Sequence, residues 1–297
     1  MRADALATTI LSPIGRNNNY LSGSGRSDHA GVRYRLVPEP TVGELIRAKR
    51  ASAHLSQMDL ALRAGVSARH LGFVELGKSR PSPQLLLALA RSLDVPLRER
   101  NDWLLAAGHA PRYRTGPLSR ADLNRVRRDI QSLLDAHDPF PGVAVDRCWD
   151  VQLTNQAARR LVAGIPDAVR GTPTNVFRAA LHPDGFARHT SNFDDWSSYL
   201  LGQLHYLANR DSLAAELARE IETWPGLPPR SQWADLNRAQ FREPVLQWAV
   251  DLGDVPLRMY TVMAQLGATS DVTLSELTVE LFYPSDQVSE EWLRSLS

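Results

Sequence analysis

Gln57-Met-Asp-Leu-Ala-Leu-Arg-Ala-Gly-Val-Ser-Ala-Arg-His-Leu-Gly-Phe-Val-Glu75 decides the fold of the first half of the chain. Two short helices that cross tightly over a third leave little freedom to the residues between them. Counted from Gln57, the fifth residue must be small where the helices touch, and it is Ala61. The ninth must make the turn, and it is Gly65, a residue that enters the left-handed region without strain. The fourth, eighth, tenth, fifteenth and eighteenth must be apolar, and they are Leu60, Ala64, Val66, Leu71 and Val74. The spacing predicts a helix-turn-helix rather than a generic helical hairpin. Ser56, with Asp59 three residues on, caps its first helix; Ser67 caps the second, which runs from Ala68 and is closed by Gly77.

Working outward, Val42, Leu45 and Ile46 with Lys49 and Arg50 predict an amphipathic helix with a basic outer side. After Pro81, Ser82 caps a fourth helix through Leu85, Leu86, Leu89 and Leu93, and Pro96 precedes a fifth that ends near Gly108. Residues 42–110 thus read as an all-α bundle. Residues 1–41 are polar and glycine-rich around Arg16–Arg26 and read as a flexible tail, with a DNA-contacting arm and an over-long start as the other readings. Residues 111–118 read as a linker.

Residues 119–297 change texture. A helix is expected over about 119–136. Two strands follow at Gly142–Asp146 and Trp149–Thr154, then a helix capped by Asn155. Helices are expected near 175–181, 193–209 and 212–223, strands near 245–252, 256–266 and 277–283, and a last helix from about Ser285. This half reads as an α+β domain, an antiparallel sheet with helices, so the chain is expected to hold two domains.

Charge separates the same halves. Residues 42–114 carry twelve basic against six acidic side chains, and residues 115–297 carry seventeen against twenty-four. A basic module joined to an acidic one suggests a polyanion binder attached to something else. Lys49 and Lys78 are the chain's lysines, so the second half has none. That excludes Schiff-base, pyridoxal and Ser–Lys chemistry there. The lone cysteine, Cys148, excludes a disulfide framework and a cysteine-rich zinc site and is expected to be buried and inert. His182, His189 and His205 match no metal-ligand spacing, so no metal is expected. No apolar run reaches 18 residues, which argues against a membrane span and for a cytoplasmic protein.

Gly72-Phe-Val-Glu-Leu-Gly-Lys78-Ser79 matches the phosphate-binding loop pattern letter for letter. That loop needs a strand before it and a helix starting at the lysine. A helix is expected before it, and Arg80-Pro-Ser-Pro83 blocks one after it.

Leu55-Ser-Gln57, Ala64-Gly-Val-Ser67, Glu75-Leu-Gly-Lys-Ser-Arg-Pro-Ser-Pro83 and Leu85-Leu-Leu87 resemble the lambda-repressor-like, or XRE, regulators. The resemblance implies that Ser67, Ala68, Arg69 and Phe73 face the major groove of double-stranded DNA, with His70 beside them. Arg69 would be the guanine reader, and Gln57, Lys78, Ser79 and Arg80 would hold phosphates. It also implies a homodimer on an inverted-repeat operator.

Val143–Leu161 has a PAS-like opening, two strands and an Asn-capped helix. Leu97-Arg-Glu-Arg-Asn101, Leu104-Leu-Ala-Ala-Gly108, Leu181-His-Pro-Asp-Gly185 and Asp271-Val-Thr-Leu-Ser-Glu-Leu277 resemble the MmyB-like transcription regulators. These pair an XRE helix-turn-helix with a PAS-like ligand-binding domain, and the resemblance implies a fatty-acid-like ligand. Candidate pocket residues are Trp149, Phe177, Trp196, Tyr199, Tyr260, Met263 and Phe282, with a plain core role as the competing reading at each. Arg188, and after it His182, is the expected anchor for an acidic head group. Together these readings predict a DNA-binding transcription regulator modulated by a small ligand and not an enzyme; the alternative is a constitutive regulator whose second domain only dimerises or binds a partner. The linker and the helix near 119–136 are where ligand-to-DNA transmission is expected.

Overall fold

The first four helices of the N-terminal bundle each begin where a side chain caps them. In the computed structural model, which describes residues 40–209, 211–233, 245–253 and 255–295, Thr41 and Glu44 form a reciprocal cap for α1 (Val42–Ser52). Ser56 and Asp59 do the same for α2 (Gln57–Ala64). Ser67 caps α3 (Ala68–Glu75) and Ser82 caps α4 (Pro83–Ser92). After Pro96 comes α5 (Leu97–Ala106). Gly65 makes the α2–α3 turn at φ +70°. Ile46, Leu60, Leu71, Leu86, Leu89, Trp103 and Leu104 fill the bundle, each essentially inaccessible to solvent. The expected tail, apart from Pro40 and Thr41, lies outside the described residues.

Residues 111–118 are tied down at both ends. The Asn101 side-chain carbonyl accepts from the Arg112 and Tyr113 amides at 3.0 Å, and its amide donates to the Tyr113 carbonyl at 2.7 Å. Further on, Arg114 bridges Asp271, and the Thr273 hydroxyl bonds both the amide and the carbonyl of Gly116. A 3-10 turn at Ala121–Leu123 then leads into α6 (Asn124–Asp135), so the helix expected from Ser119 starts later.

The second half is built on a five-stranded antiparallel sheet: β1 (Gly142–Val145), β2 (Val151–Thr154), β3 (Trp248–Leu252), β4 (Val255–Gln265) and β5 (Thr278–Pro284), in the order β2-β1-β5-β4-β3. Between β2 and β3 the chain makes α7 (Gln156–Val162), α8 (Asp167–Arg170), α9 (Val176–Leu181), α10 (Phe193–Ala208) and α11 (Ser212–Ile221). α12 (Val272–Ser275) precedes β5, and α13 (Gln287–Ser295) closes the fold. An all-α helix-turn-helix bundle followed by an α+β domain is the class the sequence predicts.

β5 is the central strand, so both of its faces are covered. Val279 and Leu281 face α6, where Ile130 and Leu134 pack with Ala144. Phe282 faces the other way, into a core made with Phe177, Trp196, Leu200, Trp248 and Met259. The β1–β2 connection is longer than the strands expected at Gly142–Asp146 and Trp149–Thr154 leave room for. Asp146 Oδ1 accepts from the amides of Cys148 and Asp150, and Trp149 sits at φ +64°, so β2 starts at Val151.

Candidate functional site

The outer face of α3 is the first candidate. Ser67, Arg69, His70 and Phe73 are exposed and Ala68 half-buried, while Leu71 and Val74 anchor the helix from below. The Arg69 guanidinium lies 5.5 Å from the Phe73 ring centroid, one turn on, so its fork is steadied by a cation–π contact. Beyond α3 the chain folds back over Gly77 at φ +68°, with the amides of Lys78 and Ser79 donating to the Phe73 carbonyl. Lys78 is exposed there. Neither a strand before this loop nor a helix starting at Lys78 is present, so the phosphate-loop pattern has no matching structure.

Two basic residues differ from the sequence reading. Arg50 is not on an outer side; it reaches under α3 and forms two bonds, of 2.7 and 2.9 Å, with the Glu75 carboxylate. Gln57 Nε2 donates to the same carboxylate at 2.8 Å, so one residue from each of α1, α2 and α3 meets there. Burial pushes the Glu75 carboxyl up, but the Arg50 and Gln57 hydrogen bonds outweigh it and hold it below the usual carboxylate range. Arg80 is exposed, yet its Nε and one terminal nitrogen donate to the Ala107 and Gly108 carbonyls at 2.9 and 3.0 Å. It closes the end of α5, a framing role beside the phosphate contact expected of it.

The second candidate is a cavity of about 70 Å³ on the α7–α11 side of the sheet. Val143, Val151, Leu161, Val176, Phe186, Trp196, Trp248 and Phe282 make its wall almost wholly carbon. Among the described residues, Glu280 is the charged one on that wall. β5 pairs it with Val143 of β1 and Met263 of β4, and only 5% of it is exposed. Desolvation raises its carboxyl to about 7, with the Thr261 hydroxyl pulling the other way. Among the described residues, neither Glu280 Oε2 nor Trp196 Nε1 meets a hydrogen-bond partner.

Of the nine pocket residues expected from the sequence, Trp196 and Phe282 line this cavity. Trp149 and Phe177 pack on each other in the adjoining core, ring centroids 5.1 Å apart. Tyr199 leans on Trp196 at 5.9 Å and its hydroxyl accepts from Gln203. Met263 shares Glu280's face but is half exposed at its margin. Tyr260 is on the far face, stacked on Tyr283, because alternation along β4 turns it away from Thr261. His182 packs edge-on against Trp224, and Arg188 is exposed and donates to His189 Nε2, so neither stands on the cavity wall as the expected anchor would. His205 meets Trp233, and no group of potential metal ligands occurs among the described residues. Cys148 is buried with its thiol pushed up by desolvation.

Glu280 gave no signal in the sequence. In Thr278-Val-Glu-Leu-Phe-Tyr-Pro284 an acid between apolar residues reads as the solvent side of a half-buried strand.

Among the described ion pairs, Arg98–Glu276 runs between the helical bundle and the sheet domain, and two others tie elements within the second half. Arg98 of α5 makes two bonds, of 2.7 and 2.8 Å, to Glu276, which immediately precedes Leu277 and β5. Arg120 pairs with Asp271, the N-cap of α12, and Arg147 with Asp211, the N-cap of α11.

A family model described as the MmyB-like transcription regulator ligand binding domain matches residues 126–296, and a helix-turn-helix model matches residues 46–100. An HTH-type transcriptional regulator of Mycobacterium tuberculosis, in strains CDC 1551 and H37Rv, is 43% identical over 53 residues. That stretch is 18% of this chain and 38% of the relative's length. Among solved structures, the restriction-modification controller protein C.AhdI from Aeromonas hydrophila is 36% identical over 20% of this chain and 89% of its own, with a TM-score of 0.19. The PAS domain of BvgS from Bordetella pertussis is 15% identical over 58% of this chain and 95% of its own, with a TM-score of 0.28. No described helix is long and apolar enough to cross a membrane.

Proposed function

The chain belongs to the MmyB-like transcription regulator ligand-binding-domain family, and from that premise we propose that it binds operator DNA through α3 and adjusts that binding to a small apolar ligand held in the cavity beside β5. One observation carries the reading. β5 places Glu280 and Phe282 on the cavity wall, and four residues before Glu280 the same stretch of chain holds Arg98 of the DNA-side bundle through Glu276. A ligand that shifts β5 therefore pulls on α5. This puts transmission at the α5–β5 junction as well as at the pinned linker and α6.

On DNA, Arg69 is the base reader: a bidentate contact to guanine O6 and N7 contributes roughly 1–3 kcal/mol of discrimination. Lys78, the Ser79 hydroxyl and the second N–H of the Gln57 side-chain amide position the phosphates. The protein acts as a homodimer on an inverted repeat with half-sites about 34 Å apart, in the cytoplasm at the nucleoid. The carbon-lined wall suits the hydrocarbon part of the fatty-acid-like ligand implied by the family. No step in this reading requires catalysis.

The test is selection of a binding site from random duplexes with the full chain, followed by titration of that site with cell-extract lipids and small apolar molecules. Coupling of 1–3 kcal/mol corresponds to a change in DNA affinity of about 5- to 150-fold. Affinity indifferent to every occupant of the cavity would make the protein a constitutive regulator whose second domain serves assembly.

A further inference from the structure

β4 is eleven residues long and its neighbour β3 five. β5 pairs with β4 from Met259 to Gln265, whereas β3 pairs with it from Val255 to Met259. β3 begins at Trp248, where the Asn192 side chain donates to the Gln247 carbonyl at 2.7 Å and accepts from the Ala249 amide at 3.0 Å. Among the described residues, Tyr260–Gln265 is therefore left with a bare edge. Alternation along β4 fixes which backbone groups are bare. The Arg258 carbonyl accepts from the Ser285 amide, and the Arg258 amide donates to Ser289 Oγ, so Arg258 and every second residue after it turn toward β5. Thr261, Met263 and Gln265 turn their amides and carbonyls the other way, and no described group meets them. The outer strands are treated differently. The Val151 amide of β2 donates to the Thr174 carbonyl at 2.8 Å, and the Ala249 carbonyl of β3 accepts from the Ser191 amide at 2.9 Å. A free edge is commonly protected by charge or proline, and Tyr260-Thr-Val-Met-Ala-Gln-Leu266 has neither. Val262 and Met263 are 45% and 47% exposed, one on each face of the edge.

We propose that a second copy of the chain docks on this edge, the two β4 strands lying antiparallel about a two-fold axis at Met263. This rests on the homodimer reading above and names its interface. The register sets Thr261 of each copy opposite Gln265 of the other, Val262 opposite Ala264, and Met263 opposite itself. Both backbone groups of every outward residue are then satisfied. Moving the axis to Val262 would set Gln265 opposite Met259, whose outward groups already serve β3. An identical strand fits for two reasons. The stretch is uncharged, so self-pairing brings no like charges together. Antiparallel pairing of identical strands also closes after two copies and leaves no further edge of the same kind. The edge runs toward the DNA-side bundle, since Leu266 and Ala268 line one groove with Leu87 and Arg91 of α4. A two-fold at Met263 thus sets one bundle on each side of the axis, as an inverted repeat requires.

The experiment measures the dimer dissociation constant of the full chain by analytical ultracentrifugation, free and on its selected duplex, for the parent, Met263→Lys and Met263→Glu. Each variant sets like charges opposite each other at the axis. Each is expected to raise the constant roughly tenfold or more, with the far-UV circular dichroism of the parent. An equimolar mixture of the two is expected to recover the dimer, because an ammonium then faces a carboxylate. Register is read separately by oxidation. A mixture of Val262→Cys and Ala264→Cys chains is expected to cross-link and neither variant alone, because residues opposed without mutual hydrogen bonds stand about 4.5 Å apart at Cα, within disulfide reach. Cys148 is buried and common to all of them. If both charge variants dimerise like the parent and the mixture gains nothing, the edge belongs to another protein or to another segment of the same chain; this proposal falls and the homodimer reading stands. Either cysteine variant cross-linking alone as well as the mixture does overturns the axis at Met263. A parent that is monomeric both free and on its duplex overturns the homodimer reading and this proposal together.

Discussion

Among the described residues, the helical bundle and the sheet domain each bury one glutamate, and the two are in opposite states. Glu75 is 5% exposed and is met by Arg50 and Gln57, which together keep it ionised below the usual range. Glu280 is equally buried and lies against hydrocarbon, so its carboxyl rises to about 7. In the bundle the buried charge is a clip that fixes α1, α2 and α3, and everything that could vary is on the outer face of α3. In the sheet domain the buried acid is left open on a cavity wall. A reader of DNA needs a rigid frame with its chemistry outside; a sensor needs a defect inside that a ligand can relieve.

The largest expected effect comes from breaking the clip. Arg50→Ala leaves Glu75 buried without its cation, and loss of one partner of a buried pair costs about 3–5 kcal/mol. Urea unfolding of the variant should show that loss, and Arg50→Met with Glu75→Leu should recover most of it. A tolerated Arg50→Ala would mean the two glutamates are not in different states after all.

The next effect has the opposite sign and follows from pH. The folded-state pKa of Glu280 is raised, so the folded chain holds that proton more tightly than the unfolded chain; the advantage is full below about 4.5 and is lost as pH rises through about 7. The move corresponds to about 3 kcal/mol. Glu280→Gln should therefore gain on the unmodified chain by up to that amount between pH 5 and pH 8, a difference in which the other titrating groups cancel. The Glu75 contribution runs the other way, present above its ordinary range and lost as the pH falls. Stability differences that are flat with pH would remove the contrast.

How much of this the sequence showed depends on whether a residue's role is local. The helix-turn-helix was legible because its constraints fall within nineteen consecutive residues, and Ala61, Gly65, Leu71 and Val74 are where the template requires them. Caps were legible for the same reason: Ser56, Ser67, Ser82 and Asn155 each act on an amide three residues on. Strands were found by alternation, and the same rule concealed Glu280, because β5 becomes central only when β1 and β4 pair on either side of it. Arg50 and Glu75 are 25 positions apart and Arg98 and Glu276 are 178 apart; no local pattern links them. Arg188 drew attention as a cation that could anchor an acidic head group, and only the tertiary packing decides that it stands off the cavity wall.

A smaller effect separates reading from framing on the bundle itself. Arg69→Ala should abolish preference at one base pair, worth roughly 1–3 kcal/mol, with stability unchanged within about 0.5 kcal/mol because the side chain is exposed. Arg80→Ala should do nearly the reverse. Its guanidinium donates to the two carbonyls at the end of α5, so removal should lower stability by about 1 kcal/mol and weaken all sequences alike. Equal loss of base preference in both variants would mean that Arg69 frames rather than reads.

The smallest expected change in stability lies where the two regions meet. Arg98 and Glu276 are 39% and 21% exposed, so solvent screens the pair and Arg98→Ala should cost no more than about 1 kcal/mol. Its effect on communication should be out of proportion to that. α5 would lose its paired bonds to the segment entering β5, while the cavity and the face of α3 keep every contact described above. The expected outcome is a variant that binds ligand and DNA separately with affinities near those of the parent, but in which ligand no longer changes DNA affinity. The measurement is a double titration, with DNA affinity determined with and without saturating ligand in parent and variant. If the coupling survives intact, transmission runs instead through the segment pinned by Thr273 and Asp271, and Thr273→Val, which removes the hydroxyl bonded to both the amide and the carbonyl of Gly116, becomes the variant that should abolish it.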